Sequence, residues 1–271
     1  MRTAAGWSKR PSSAAAANEE AKAVLCSVRR ASKRRENKAS GLFQHPARRE
    51  FRQVVIYSYP WVPWLLVMNA KTLAAVTVFL DRDGTLNQDF GYITSPSKLV
   101  LLPGAAQAVA RLNLAGIRVV LVTNQSGVAR GFFTLAELHD IHEKLQSVLK
   151  AEGAWLDAIF VCPHHPEDHC WCRKPNPGLL DQAATQFGLD LTCSYVVGDK
   201  DIDLELAHRV GALGVLVMTG PSSPEALKAM ESGKLNVGCV TDSVNEAVDW
   251  ILQDVMKKYD GERGSGIVVT R

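Results

Sequence analysis

From Met68 onward, apolar residues fall into short runs separated by amphipathic stretches. Val76-Thr77-Val78-Phe79-Leu80 is rich in β-branched and aromatic residues and reads as a buried strand. Residues 103–115 read as a helix closed by Gly116, and a second strand follows over 117–122, ending at Thr123. Thr134-Leu135-Ala136-Glu137 has capping-box spacing and predicts a helix running toward Glu152 and Gly153. Residues 155–161 predict a third strand ending at Cys162. Asn176-Pro177 offers an N-cap and a first-turn proline to a helix that stops near Gly188. Residues 194–197 predict a fourth strand, ending in Gly198-Asp199. A helix through Ala207, a strand at Val215-Leu216-Val217 and a terminal helix capped by Ser243 with Glu246 complete the pattern. Such alternation argues for an α/β fold, a parallel sheet with helices on both faces. There are no internal repeats.

The 271 residues allow one or two domains, and 46% hydrophobic residues suffice for a core. The formal charge of +3 conceals an asymmetry: residues 1–67 hold 13 Lys/Arg against 4 Asp/Glu, the remainder 18 against 24. The mildly acidic remainder gives no charge argument for a nucleic-acid partner. Residues 1–67 combine an Ala/Ser-rich stretch (11–18), the basic block Arg29-Arg30-Ala31-Ser32-Lys33-Arg34-Arg35 and an apolar run over 54–67 broken by Pro60 and Pro63. That run is too short for a bilayer span of about 20 residues, and its prolines disfavour a helix. No secretory signal is visible, so a cytoplasmic protein without a membrane partner is expected. Three readings of the extension stay open: translation beginning at Met68, an organellar transit peptide, or a regulatory tail. The expected division is an extension over 1–67, a domain over 68–256 and a frayed tail over 257–271.

The candidate chemistry lies just after the strands, the edge where ligands bind in open parallel sheets. Asp81-Arg82-Asp83-Gly84 follows the first strand. Residues two apart on an extended segment point the same way, so Asp81 and Asp83 are expected to face one pocket, with Gly84 turning the chain away. One carboxylate would attack as a nucleophile while the other moves protons; a solvated turn is the plain alternative. Thr123-Asn124-Gln125-Ser126-Gly127 could hold phosphate oxygens or be an ordinary polar turn. Arg173-Lys174-Pro175 supplies a cation for nucleophile and phosphoryl group. Gly198-Asp199-Lys200-Asp201-Ile202-Asp203 brings Asp199 beside Asp81, a pair able to share Mg²⁺. Asp203 is expected to orient Lys174 or a metal-bound water, and Asp201 to be helix N-terminal charge.

Cys162-Pro163-His164-His165-Pro166-Glu167-Asp168-His169-Cys170-Trp171-Cys172 reads as a closed structural Zn²⁺ set of Cys162, His164, Cys170 and Cys172. His165 and His169 compete with His164. A redox role is weaker, since only Cys26, Cys193 and Cys239 lie outside the cluster and C-x-C is a poor disulfide spacing. Zinc would pin the loop carrying Arg173 and Lys174.

These four ordered motifs resemble the haloacid dehalogenase (HAD) superfamily of aspartate-nucleophile phosphatases over residues 76–218. The resemblance implies a Rossmann-like core in which Asp81 forms an aspartyl phosphate and Asp83 acts as acid and base. Thr123 and Lys174 would stabilise the phosphoryl group, and Mg²⁺ would be held by Asp81, Asp199 and the carbonyl of Asp83. No insertion long enough for a cap domain separates Asp83 from the first helix or Lys174 from Asp199, so the fold is expected to be capless.

The zinc loop ending in Cys172-Arg173-Lys174-Pro175 is similar to that of D-glycero-D-manno-heptose-1,7-bisphosphate phosphatases and histidinol-phosphate phosphatases. Asp81 through Asn87, Asp89-Phe90-Gly91-Tyr92 and residues 123–131 resemble the heptose enzymes. That resemblance implies substrate contacts from Asp89, Phe90, Gly91, Tyr92, Thr123, Asn124, Gln125, Ser126, Lys174 and Lys200. It also gives Arg173 the second phosphate. The expected substrate is the heptose bisphosphate, cleaved at C7 by a monomeric enzyme supplying lipopolysaccharide precursors. Only five residues separate His164 from Cys170, a loop length shared with the alternative, histidinol-phosphate phosphatase.

Overall fold

The apolar run after Val76 forms β1 (Thr77–Leu80), every residue of it buried. This is the condition of a central parallel strand covered on both faces. The computed structural model describes residues 76–231 and 237–264, with side chains to 258. All belong to the unit Asn69–Arg271; the expected extension over 1–67 lies outside the described residues. The elements are β1, α1 (Ala105–Leu114), β2 (Arg118–Asn124), α2 (Leu135–Ala151), β3 (Ala158–Cys162), α3 (Gly178–Phe187), β4 (Tyr195–Gly198), α4 (Asp201–Val210), β5 (Leu213–Val217), α5 (Ser223–Glu231), β6 (Cys239–Thr241) and α6 (Val244–Gly264).

All six strands are parallel, in the order β3-β2-β1-β4-β5-β6. The chain runs outward from β1 in one direction and from β4 in the other. The crevice between their C-terminal ends is therefore the topological switch point, where such sheets bind ligands. In register, Phe79 faces Val120 on β2 and Val196 on β4. These three pack with Val122, Leu179, Leu180 and Leu206 in one buried cluster.

The capping box of α2 is formed: Thr134 Oγ1 accepts from Glu137 N at 3.2 Å, and Glu137 Oε2 accepts from Thr134 N at 2.7 Å. At α6, Ser243 Oγ accepts from Glu246 N at 3.2 Å. Two local expectations are corrected. Asn176 does not cap α3; its side chain donates to Cys170 O at 2.9 Å and accepts from Arg209 Nη1 at 2.9 Å. The last helix continues to Gly264, past the boundary expected at 256. The sheet also gains β6, preceded by α5, neither of which the hydrophobic pattern announced. Between Asp83 and α1 the chain forms only a 3-10 turn (Pro96–Lys98), so no cap domain covers the crevice among the described residues.

Candidate active site

β1 ends by handing Asp81 to the switch point, where its backbone N–H donates to Val197 O of β4 at 3.0 Å. The Asp81 side chain is buried against two ammonium groups: Lys174 Nζ lies 2.8 Å from Oδ1 and Lys200 Nζ 3.8 Å from Oδ2. Burial alone would raise its carboxyl, but Lys174 and Lys200 more than offset this and hold it below the usual carboxylate range. Asp81 is thus an ionised, desolvated carboxylate.

Lys174 is itself buried, with Nζ donating to Asp203 Oδ1 at 2.7 Å and Val122 O at 3.0 Å. Burial opposes its charge, yet Asp203 and Asp81 raise its pKa above the ordinary lysine value. Asp203 sits one turn into α4, as its spacing suggested, and also accepts from Lys200 N at 3.2 Å. Asn124 clamps the backbone of Lys174: its side chain accepts from Lys174 N at 3.0 Å and donates to Lys174 O at 3.1 Å. That residue therefore fixes the lysine segment with both ends of its amide.

Asp83 does not turn its carboxylate toward these ammonium groups. It accepts from Arg82 Nε at 3.0 Å and Nη2 at 2.8 Å, from Asn87 Nδ2 at 2.8 Å and from Gln125 Nε2 at 2.9 Å. Gln125 Nε2 also donates to Thr123 Oγ1 at 2.9 Å, which joins the first and second strand ends. Ser126 is buried beside them.

Asp199, from the end of β4, is fully buried, and its Oδ2 has no hydrogen-bond partner. Burial, with Asp81 and Asp203 adding repulsion against the pull of Lys200, pushes its carboxyl up to about 7. Two glycines allow this close packing: a methyl on Gly84 (φ +88°) would meet the carboxyl at 2.5 Å, and one on Gly220 would lie 2.7 Å from Asp199 Cβ. Gly220 follows β5 in Thr219-Gly220-Pro221, a segment that no sequence motif marked out; Thr219 Oγ1 ties that loop to Gly84 O at 2.6 Å. Carboxylate oxygens of Asp81, Asp199 and Asp203 gather within 4.8 Å. Asp203 is committed to Lys174, leaving the orphaned Asp199 oxygen and Asp81 as a hard, anionic donor pair that fits Mg²⁺. Lys200 Nζ lies at the rim of this pair, 3.4 Å from Asp199 Oδ1, 3.2 Å from Asp83 O and 3.2 Å from Asp89 Oδ2.

The predicted substrate loop flanks the crevice. Asp89 accepts from Gly91 N at 2.8 Å as well as from Lys200, Phe90 is exposed, and Tyr92 packs edge-on against Phe132 with centroids 4.7 Å apart. Arg173 carries a buried Nη1 with no hydrogen-bond partner, a donor turned to no acceptor of the protein. Asp201 only begins α4, accepting from Ile202 N at 2.8 Å.

β3 ends at buried Cys162, from which the thiol-imidazole cluster unfolds. Cys162 Sγ lies 3.5 Å from Cys170 Sγ and 3.6 Å from His164 Nδ1; Cys172 Sγ lies 3.2 Å from His164 Nδ1 and 3.6 Å from Cys170 Sγ. A tetrahedron with Zn–S bonds of about 2.3 Å has edges of about 3.8 Å, so the four atoms approximate a zinc cage. His165 instead accepts from Glu167 N and stays outside the cluster. The loop is sewn to the second strand end by Gln125 N donating to Cys162 O at 2.7 Å and Ala129 N to Pro163 O at 3.2 Å.

A parallel sheet with strand order 3-2-1-4-5-6, a buried Asp at the switch point and a lysine–aspartate pair behind it define a HAD-type hydrolase. Family models agree: a HAD-hydrolase-like model matches residues 171–247, and a polynucleotide kinase 3 phosphatase model matches residues 79–201. The chain is 42% identical over 179 residues to the D-glycero-beta-D-manno-heptose-1,7-bisphosphate 7-phosphatase of Bordetella bronchiseptica, covering 65% of this chain and 98% of that one. It is 41% identical over 172 residues to the enzyme of that name from Escherichia coli K12, covering 60% and 88%. A crystal structure of the B. bronchiseptica heptose-bisphosphate phosphatase complexed with magnesium and phosphate superposes with a TM-score of 0.60 at 41% identity, covering 66% of this chain and 98% of that one. The chain belongs to the heptose-1,7-bisphosphate 7-phosphatase family of HAD hydrolases.

Proposed function

We propose that this protein hydrolyses the C7 phosphate of D-glycero-D-manno-heptose 1,7-bisphosphate through an aspartyl-phosphate intermediate. The step would supply nucleotide-activated heptose for lipopolysaccharide precursors. The observation that carries the reading is the buried Asp81 carboxylate, kept ionised by Lys174 at 2.8 Å beside the orphaned oxygen of Asp199.

An Asp81 oxygen attacks phosphorus, the P–O bond to C7 breaks, and the leaving oxygen takes a proton from Asp83. Asp83 then takes a proton from the water that attacks the phosphoryl-enzyme, and the P–O bond to Asp81 breaks to free phosphate. Lys174 and Thr123 hold the phosphoryl oxygens, and Lys174 remains charged because Asp203 and Asp81 flank it. Asp81, Asp199 and the carbonyl of Asp83 would hold Mg²⁺, which supplies charge neutralisation for the transferring phosphoryl group. Cys162, His164, Cys170 and Cys172 would hold a structural Zn²⁺ that fixes the segment bearing Arg173 and Lys174.

Arg173, with its unpartnered buried donor, would receive the phosphate that is not cleaved; Asp89, Phe90, Gly91, Tyr92, Gln125, Ser126 and Lys200 would line the sugar. The substrate is a small phosphorylated sugar, and the reading places a monomer in the cytoplasm with no nucleic-acid or membrane partner for this domain. No helix among the described residues is long and apolar enough to cross a membrane.

The reading is tested by measuring Mg²⁺-dependent phosphate release by the wild type and Asp81→Asn, and by trapping the wild type with beryllium fluoride. Turnover abolished by the substitution supports it, because an amide cannot serve as the nucleophile. Substantial turnover in Asp81→Asn contradicts it.

A further inference from the structure

The residue between the two carboxylates of the first motif, Arg82, is fully buried. A guanidinium is always charged, offers five donors and has no acceptor. Each of its nitrogens is occupied: Nε and Nη2 form a fork on Asp83 at 3.0 and 2.8 Å, Nη2 also donates to Gln125 Oε1 at 3.0 Å, and Nη1 faces His142 Nε2 at 3.2 Å. Because Arg82 can only donate, Nε2 must be the unprotonated nitrogen and the His142 proton must sit on Nδ1. Burial first, then the Arg82 charge, brings the His142 imidazole down to about 3, in keeping with a neutral acceptor. His142 projects from the middle of α2, a helix that supplies none of the groups assigned to substrate or metal.

We propose that Arg82 and His142 form a buried brace from α2 that positions Asp83 for proton transfer and couples it, through Gln125, to Thr123. The proposal rests on the acid–base role given to Asp83 above. Arg82 and His142 are positioning residues; neither touches substrate. Four N–H groups from Arg82, Asn87 and Gln125 meet the two oxygens of Asp83 and hold its carboxylate in one rotamer; to carry the proton it passes to the leaving oxygen, Asp83 releases one of these four bonds. Gln125 is held in turn, its carbonyl oxygen by Arg82 and its amide nitrogen against Asp83 and Thr123. His142 closes the arrangement, since without an acceptor at Nε2 the Nη1 end of the buried guanidinium would lose its partner.

The leaving group separates this role from a general packing role. A sugar alkoxide needs a proton as it departs, whereas p-nitrophenolate does not. Values of kcat/KM for heptose bisphosphate and p-nitrophenyl phosphate therefore read the same phosphorylation step with and without that demand. Arg82→Lys, which keeps the charge and loses the fork, is expected to lower kcat/KM on the sugar phosphate roughly 10²-fold, the scale of a catalytic group misplaced by about 1 Å. On the aryl phosphate the loss should stay within about threefold. His142→Leu should give the same selective loss, about tenfold, and His142→Gln, whose amide oxygen can accept from Nη1, should recover most of it. Should Arg82→Lys fail to fold, the two His142 variants carry the test. Asp83→Asn is the reference. If it lacks the sugar-selective loss, the acid–base assignment itself fails. If it shows the loss while Arg82→Lys or His142→Leu weakens both esters equally, or neither, the brace is refuted.

Discussion

Substitution of Gly220 by alanine tests whether the loop after β5 is built to the shape of Asp199. A methyl there would lie 2.7 Å from Asp199 Cβ and nearer still to its carboxyl, where ordinary contact begins at 3.4 Å. Asp199 or the loop must therefore move by at least about 0.7 Å. Asp199 is fully buried and Thr219 anchors the loop to Gly84 O at 2.6 Å, so neither side has free space to yield. Overpacking of this kind costs about 1–3 kcal/mol, equivalent to a fall in Tm of about 2–12 °C for a domain of this size. The functional loss should be larger than the stability loss, because Mg²⁺ tolerates little departure from octahedral geometry and misplacement by about 1 Å can cost about 10²-fold. Gly220 has no positive φ, so backbone strain does not confuse the result. The assay is a Mg²⁺ titration of phosphate release, with calorimetric Mg²⁺ binding and a thermal melt on the same protein. The expected outcome is a folded variant with weakened Mg²⁺ binding and kcat down roughly 10²-fold. Wild-type kcat with unchanged Mg²⁺ affinity would refute the argument that this glycine shapes the metal seat.

The raised Asp199 carboxyl, about 7, predicts proton–metal competition. Below that value the group must release a proton to bind Mg²⁺, so calorimetric affinity should rise about tenfold from pH 6 to pH 8 and level off above; equal affinities at the two pH values would contradict it. By the same shift, the Mg²⁺-free protein should lose stability as pH rises from the unfolded carboxylate range through about 7, since an acid raised in the folded state favours folding when protonated. Elemental analysis of protein purified without chelator should find about one zinc per chain, and stripping it should unravel the loop bearing Lys174 and abolish turnover. Full activity in zinc-free protein would remove the metal from the account.

The strands that build the site were legible because each is a short β-branched run ending in a polar motif. Lys174 with Asp203 was legible because one helical turn separates Asp203 from Asp199. β6 was not: its three residues are only partly buried, and so short a run carries no period. Asn176 was misread because its side chain serves Cys170 O and Arg209 across the fold, contacts that override a local cap. For Asp83, the alternation of an extended segment gave its direction but no sign that its own neighbour Arg82 would fork onto the carboxylate. The burial of Arg82 and the closeness of Gly220 to Asp199 depend on packing between distant segments, His142 of α2 against the turn after β1 and the loop after β5 beside the end of β4. No local pattern encodes either.

The proposed function stands on which phosphate is removed and from what. Turnover of D-glycero-D-manno-heptose 1,7-bisphosphate, followed by phosphorus NMR, reports it directly, with kcat/KM compared against histidinol phosphate and repeated for Arg173→Ala. The C7 resonance should be lost with the C1 phosphate retained. A preference of at least ~10²-fold over histidinol phosphate is expected, as loss of a buried charged pairing costs about 2–5 kcal/mol, and it should shrink in Arg173→Ala through the bisphosphate. Release of the C1 phosphate, or comparable rates on the two substrates, would contradict it.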